Sequence, residues 1–177
     1  SAGLVINNDQ EPFDNNVKMG DSSFRIIPSD VNSNSLSEYH RSDTFDHSGI
    51  KSEPFTALPI PHILDLVKEG FIGSISDSHI SIMGSIVNPS NLIDKTIPNI
   101  ISILKREEVD ITLLIPVWPM CHQTVGLIQK SLEENNLICS TISIIDEITI
   151  KLGIKRYLSV PYDLGFPLGD PRDYIEQ

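Results

Sequence analysis

The sequence predicts an α/β fold: three layers, a mainly parallel sheet with helices on both faces, and a long irregular N-terminal loop. Three observations predict it. In the second half of the chain, apolar β-branched runs alternate with stretches of helical spacing, the pattern of parallel strands joined by crossover helices. The run Ile111-Thr112-Leu113-Leu114-Ile115-Pro116 is apolar along nearly its whole length, as a strand buried on both faces should be. Residues 7–23 and 29–55, by contrast, are polar and carry little periodicity. The 177 residues suit a single domain, 1–177, with a sizeable core.

The elements follow in order. Residues 2–6 read as a first short strand, and 24–28 as a short strand or extended arm. The stretch 29–55 is too long for a plain connection in a compact domain, so it is functional or disordered, and Tyr39 and Phe45, with the His and Asp between and after them, favour function. Residues 61–69 have a helical pattern ending at Gly70, a good stop. Residues 71–75 and 80–83 look like strands flanking a polar break. Asn88-Pro89 opens a helix running to about 105, which Pro98 should kink or split. Strand 109–116 leads into helix 120–135, whose apolar stripe is Val125, Leu127, Ile128 and Leu132. Strand 137–145, a short helix 146–152 and a last strand 155–160 complete the pattern. The segment Gly165-Phe166-Pro167-Leu168-Gly169-Asp170-Pro171 reads as a rigid turn. The chain begins with Ser1 rather than Met and is strand-like at once, which reads as a processed chain, as a fragment lacking an N-terminal segment, or as a start left over from expression.

Composition excludes several function classes. The formal net charge of −11 argues against a nucleic-acid surface and against an anionic membrane surface. No apolar run is long enough to span a bilayer. Two cysteines, Cys121 and Cys139, do not make a disulfide scaffold, and free thiols lead us to expect a cytoplasmic protein. Cys139 lies in a strand pattern and reads as an inert buried thiol.

Cys121 is the residue that points to chemistry. It lies on the loop from a parallel strand to a helix N-terminus, where open α/β sheets bind ligands. The positive end of a helix there favours thiolate over thiol. The expected role is a nucleophilic or redox thiol; the plain alternative is a small residue closing a helix–sheet contact. His122 follows and is a candidate to tune or shuttle a proton, although a helical neighbour at i+1 points away from the sulfur. Gln123 is a candidate substrate contact or a first-turn polar residue. Trp118, the only tryptophan, stands three positions before Cys121 and suits a lid over the sheet end.

A second cluster is His40, Asp43, Asp46 and His47. Its spacing fits no standard zinc or calcium loop, so substrate hydrogen bonding is expected there rather than metal. His79 is a pocket base or a satisfied core histidine. Arg25, between Phe24 and Ile26, can grip a carboxylate bidentately or pair with a local aspartate.

These residues resemble the selenoprotein B family of glycine, sarcosine, betaine and D-proline reductases, and the D-proline reductase branch most. The resemblance covers nearly the whole chain. It rests on Gly20-Asp21-Ser22-Ser23-Phe24-Arg25-Ile26-Ile27-Pro28-Ser29-Asp30, on Phe45-Asp46-His47-Ser48, on Glu69-Gly70-Phe71-Ile72 with His79 and Met83-Gly84, and above all on Trp118-Pro119-Met120-Cys121-His122-Gln123-Thr124-Val125-Gly126. Family members carry a selenocysteine followed three positions later by a cysteine, and reductively cleave a carbon–nitrogen bond beside a carboxylate. In some members a separate pyruvoyl subunit binds the amine. Cys121 falls on the family cysteine and Trp118 on its selenocysteine. The selenocysteine codon is also read as tryptophan, so one reading has native selenocysteine at 118 and the other a protein that has lost the selenol.

The resemblance therefore implies a reductase-type subunit acting on a small amino acid or amine through Cys121, Trp118 and His122, with Arg25, Asp46, His47, His79 and Gln123 at the substrate. It implies no dissociable cofactor or metal, and a partner subunit or homo-oligomer. The competing function is a non-catalytic binding or assembly subunit.

Overall fold

The computed structural model describes residues 1–175 and 177. It is a mixed α/β fold built on three small sheets rather than one. β1 (Leu4–Ile6) pairs antiparallel with β3 (Leu36–Glu38), and β2 (Phe24–Pro28) pairs antiparallel with β4 (Ser78–Ile82). Among the described residues only β5 (Ile111–Leu114), β6 (Ile138–Ser143) and β7 (Tyr157–Ser159) are parallel, in that order. The helices are α1 (Ser48–Ser52), α2 (Ile60–Lys68), α3 (Ile97–Arg106), α4 (Pro119–Glu134) and α5 (Asp146–Lys151).

The expected mainly parallel, three-layer sheet is thus corrected. The second half does alternate strand and helix, and it alone makes the parallel sheet. One face of that sheet packs on helices: Leu114 and Cys139 join Ile100 and Leu104 of α3 and Ile128 and Leu132 of α4 in the largest core cluster. On the other face Ile111 is 59% exposed, Leu113 42%, Ile138 51% and Leu158 58%. That face is covered only at its C-terminal end, where Leu168 of the tail packs on Ile115 and Ile142. An apolar strand therefore need not be buried on both sides.

The first half differs more. Residues 29–55 are not one loop: they hold a 3-10 turn (Ser33–Ser35), β3, α1 and part of a second 3-10 turn (Pro54–Thr56). Residues 71–75 do not form the expected strand. Gly70 is left-handed at φ +78°, and Phe71 is exposed with no strand beside it. Pro98 splits its helix as expected. A π-helical turn (Leu92–Thr96) precedes it, and Pro98 sits in the first turn of α3, where its missing N–H costs nothing.

Two local features bind the site to this scaffold. Gly3, at φ +66°, donates its N–H to the Ile82 carbonyl (3.0 Å), which ties β1 to β4. A Cβ on Gly3 would come within 3.1 Å of the Tyr39 backbone, so glycine lets the 39–40 segment lie close. Gln129, fully buried on α4, clamps the parallel sheet. Its Oε1 accepts from the Thr141 hydroxyl (2.5 Å), and its amide donates to the Arg156 carbonyl (2.9 Å). Gln129→Leu leaves the buried Thr141 hydroxyl without its acceptor, while the Arg156 carbonyl still accepts from the Thr141 N–H (3.3 Å). We expect it to cost about 1–3 kcal/mol, lowering Tm by roughly 2–12 °C in thermal unfolding. An unchanged Tm would show that the clamp contributes nothing.

Candidate functional site

β5 ends at Leu114, and the chain then runs through Ile115, Pro116 and Val117, all buried, to Trp118. Trp118 is extended (φ −150°, ψ 158°) and precedes Pro119, the first residue of α4. Proline presets the helical backbone there. Cys121 therefore falls in the first turn of α4, as the sequence predicts.

Its environment does not match the expectation of an activated thiolate. Cys121 has no exposed surface and packs with Ala2, Leu4, Ile50, Ala57 and Val117, against Trp118 and Phe45. Burial pushes the thiol up from its ordinary range and outweighs the hydrogen bonds that favour the thiolate. The reason is solvation: a helix end supplies a partial charge, whereas burial removes all water from the sulfur. Two open clefts, of about 340 and 520 Å³, lie elsewhere, one between Ser29–Val31 and α2, the other along residues 7–12 and Tyr39. Neither is lined by Cys121 or Trp118.

The partner of Cys121 is His40, 81 residues away in sequence, with Nε2 3.1 Å from Sγ. The tautomer follows from the other nitrogen. The Ser42 backbone N–H donates to His40 Nδ1 (3.1 Å), so Nδ1 holds a lone pair and the proton is on Nε2. Nε2–H then donates to the sulfur, and the thiol donates to the Ser1 carbonyl at 3.3 Å. Burial lowers the His40 pKa to about 4, which keeps the imidazole neutral. His40 is thus set to stabilise an anionic sulfur by donation, not to take its proton through Nε2.

Gly84 makes the approach of the sulfur feasible. It is left-handed at φ +71°, and a Cβ there would lie 2.6 Å from Cys121 Sγ. The Met83-Gly84 pair that the sequence singles out is therefore part of the wall behind the thiol.

An aromatic layer surrounds this pair. Phe45 stacks on Trp118 (5.3 Å between ring centroids) and on His47 (4.0 Å), and meets His40 edge-on at 5.0 Å. The Nδ1–H of His47 donates to the Glu38 carboxylate at 2.6 and 2.8 Å. The tail closes over the layer: Gly165 donates to the Val117 carbonyl (3.0 Å), and a Cβ on Gly165 would strike the Asp46 carbonyl at 2.1 Å.

The remaining sequence candidates are placed as follows. His122 is buried and turned away from the sulfur. Its Nδ1–H donates to the Trp118 carbonyl (2.9 Å), and its Nε2 accepts from the Ile144 N–H (3.3 Å). It fastens α4 to the end of β6 and is no base for Cys121. Gln123 is exposed on α4. Asp46 is exposed and caps the start of α1 by accepting from the Ser48 N–H (2.8 Å). His79 sits on β4, with Nε2 3.1 Å from the Ser29 hydroxyl. Arg25 spends its guanidinium on the Glu11, Pro12 and Phe24 carbonyls and the Ser23 hydroxyl, over the Phe13 ring. That is a structural role. His40 and His47 meet around Phe45, with ring centroids 6.2 Å apart, but they and Asp46 are each hydrogen-bonded to a different group.

Sequence reasoning did not pair His40 with Cys121 and did not single out Glu38. His40 stood out as a histidine in a polar stretch, but nothing local tells which distant residue it meets. Glu38 carries no sequence signal at all.

The fold and site define a mixed α/β chain whose strand-to-helix loop holds a sealed Cys–His pair beneath an aromatic layer. Over 154 residues, 87% of the chain, it is 28% identical to the D-proline reductase subunit gamma of Acetoanaerobium sticklandii. It spans 63% of that relative's length. No family model and no solved structure matches. Among the described residues no helix is long and apolar enough to cross a membrane.

Proposed function

We propose that this chain is the redox subunit of a D-proline-reductase-type complex, in which Cys121 takes part in the reductive cleavage of a carbon–nitrogen bond in a small amino acid. The observation that carries the reading is the 3.1 Å contact of His40 with Cys121 Sγ at the first turn of α4, three residues after position 118. Similarity to a relative named as a D-proline reductase subunit, over 87% of this chain, supports the same reading. The net reaction adds two electrons and two protons across the bond: nitrogen leaves with a hydrogen, and so does carbon. Selenocysteine at position 118 would supply the nucleophile for carbon. The space held by the Trp118 indole, beside Phe45, is larger than a selenol needs. Cys121 sits one helical turn on and forms the sulfur–chalcogen bond that frees the carbon. An external dithiol then reduces that bond. His40 donates to the sulfur while it is anionic. The sealed thiol requires that partner docking or substrate entry move the cover of Trp118, Phe45 and the 165–168 tail.

One observation favours a second reading. An indole packed over a sealed thiol suits a chain that has lost the chemistry and keeps an assembly role. Intact-mass measurement of the natively produced protein separates the two. We expect selenium at position 118, and D-proline reduction by the reconstituted complex falling to background in Cys121→Ala. Tryptophan at 118, with full complex activity in Cys121→Ser, would establish the assembly role instead.

A further inference from the structure

The Glu38–His47 pair adjoins the aromatic layer of Phe45 and Trp118 that packs against Cys121. Glu38 ends β3, and its side chain is 2% exposed. A buried carboxylate is costly unless paired, and its partner is the Nδ1–H of His47 at 2.6 Å. Burial raises the Glu38 pKa, and His47 and Lys51 oppose that rise. The opposite nitrogen, His47 Nε2, is buried and finds no hydrogen-bond partner among the described residues. Oriented at one nitrogen and unpaired at the other, the imidazole is arranged as a proton carrier is. Its ring is stacked on Phe45, which is stacked on Trp118, and lies 6.2 Å from the ring of His40.

We propose that His47 is the acid of this site and Glu38 the residue that positions it. The inference rests on the reductase reading above. As the nucleophile's lone pair forms its bond to carbon, the carbon–nitrogen pair stays on nitrogen, and His47 Nε2–H supplies the proton. His47 is left neutral, with Nδ1–H still donated to Glu38. Glu38 holds the ring and favours its charged form.

The test has two arms, both on the full chain. The first needs no substrate: nitrogen-edited NMR of the His47 ring. We expect the neutral ring to carry its proton on Nδ1, and that tautomer to lose its preference in Glu38→Leu, which removes the acceptor. The charged and titratable groups facing the pair are His40, Asp46 and Lys51, so Lys51→Gln serves as the control and should leave the tautomer unchanged. A neutral ring protonated on Nε2, or a tautomer preference unaltered by Glu38→Leu, overturns the pairing. The second arm is D-proline reduction by the reconstituted complex. We expect His47→Gln to lower kcat about 100-fold or more. Glu38→Gln should move the basic limb of the pH profile to lower pH, and Glu38→Asp should restore part of the shift. A loss in Glu38→Gln that is uniform across pH would make the pair merely structural and overturn the proposal. A wild-type complex that turns over no D-proline would count against the reductase reading, while the NMR arm still decides the pair.

Discussion

Gly84→Ala is expected to be among the most disruptive single-methyl additions in this protein. The new Cβ would lie 2.6 Å from Cys121 Sγ and 3.3 Å from its Cα, and the backbone is left-handed at φ +71°. Overpacking of a buried contact costs about 1–3 kcal/mol, and a strained left-handed residue about 1 kcal/mol or more. The sum, about 3 kcal/mol, corresponds to a fall in Tm of roughly 6–12 °C for a domain of this size. Gly70→Ala is the control. It too is left-handed, at φ +78°, but has nothing within 4 Å, so it carries the backbone strain alone. A double-mutant cycle isolates the contact: in the Cys121→Ala background, Gly84→Ala should cost less by about 1 kcal/mol or more. Alkylation gives a second readout. Iodoacetamide should label Cys121 of the folded wild type far more slowly than that of the unfolded chain, and Gly84→Ala should speed it. Equal losses at Gly84 and Gly70, or rapid labelling of the folded wild type, would show that the sulfur is not seated against this backbone.

Stability should also fall steeply as the solution is acidified below pH 6.5. Burial lowers the folded-state pKa of His40 from 6.5 to about 4. The unfolded chain therefore binds a proton at His40 in that window and the folded chain does not. Stability rises with pH wherever the unfolded state holds more protons, so the contribution is complete above 6.5 and is lost as pH falls toward 4. For His40 alone the loss is about 3 kcal/mol. His62, His79 and His122, lowered by the same cause, act in the same direction. Carboxylates whose pKa lies below the ordinary range, such as Asp21 and Asp170, lose their contributions only at lower pH. Urea unfolding at half-unit pH steps should show the slope, and His40→Gln should flatten it by about one proton. A flat profile between pH 6.5 and 4 in the wild type would show that His40 is open to water. At the alkaline end the sign reverses. Burial raises both Cys121 and Cys139, so the unfolded thiols ionise first and stability falls as pH rises through the thiol range.

The helices and the parallel strands were legible because period and punctuation are local. The α4 stripe of Val125, Ile128 and Leu132, the stop at Gly70 and the split at Pro98 all follow from spacing and backbone chemistry. The antiparallel pairs were not legible. β1 and β3 are three residues each, too short to show alternation, and their partners lie a long way off in sequence. Residues 71–75 had the composition of a strand, but a strand needs a neighbour and Phe71 has none.

The site divides along the same line. By itself the sequence determined that one cysteine stands at the start of a helix leaving a sheet, that Trp118 precedes it by three positions, and that His40 and His47 lie in a polar stretch. The tertiary structure alone decided that Cys121 is sealed, that His40 and not His122 meets its sulfur, that Glu38 holds His47, and that Arg25 is consumed by its own loop. The physical reason is that helix position and periodicity act over a few residues. Burial and hydrogen-bond pairing depend on where distant segments come to lie, and here burial outweighs the helix end in setting the character of the thiol.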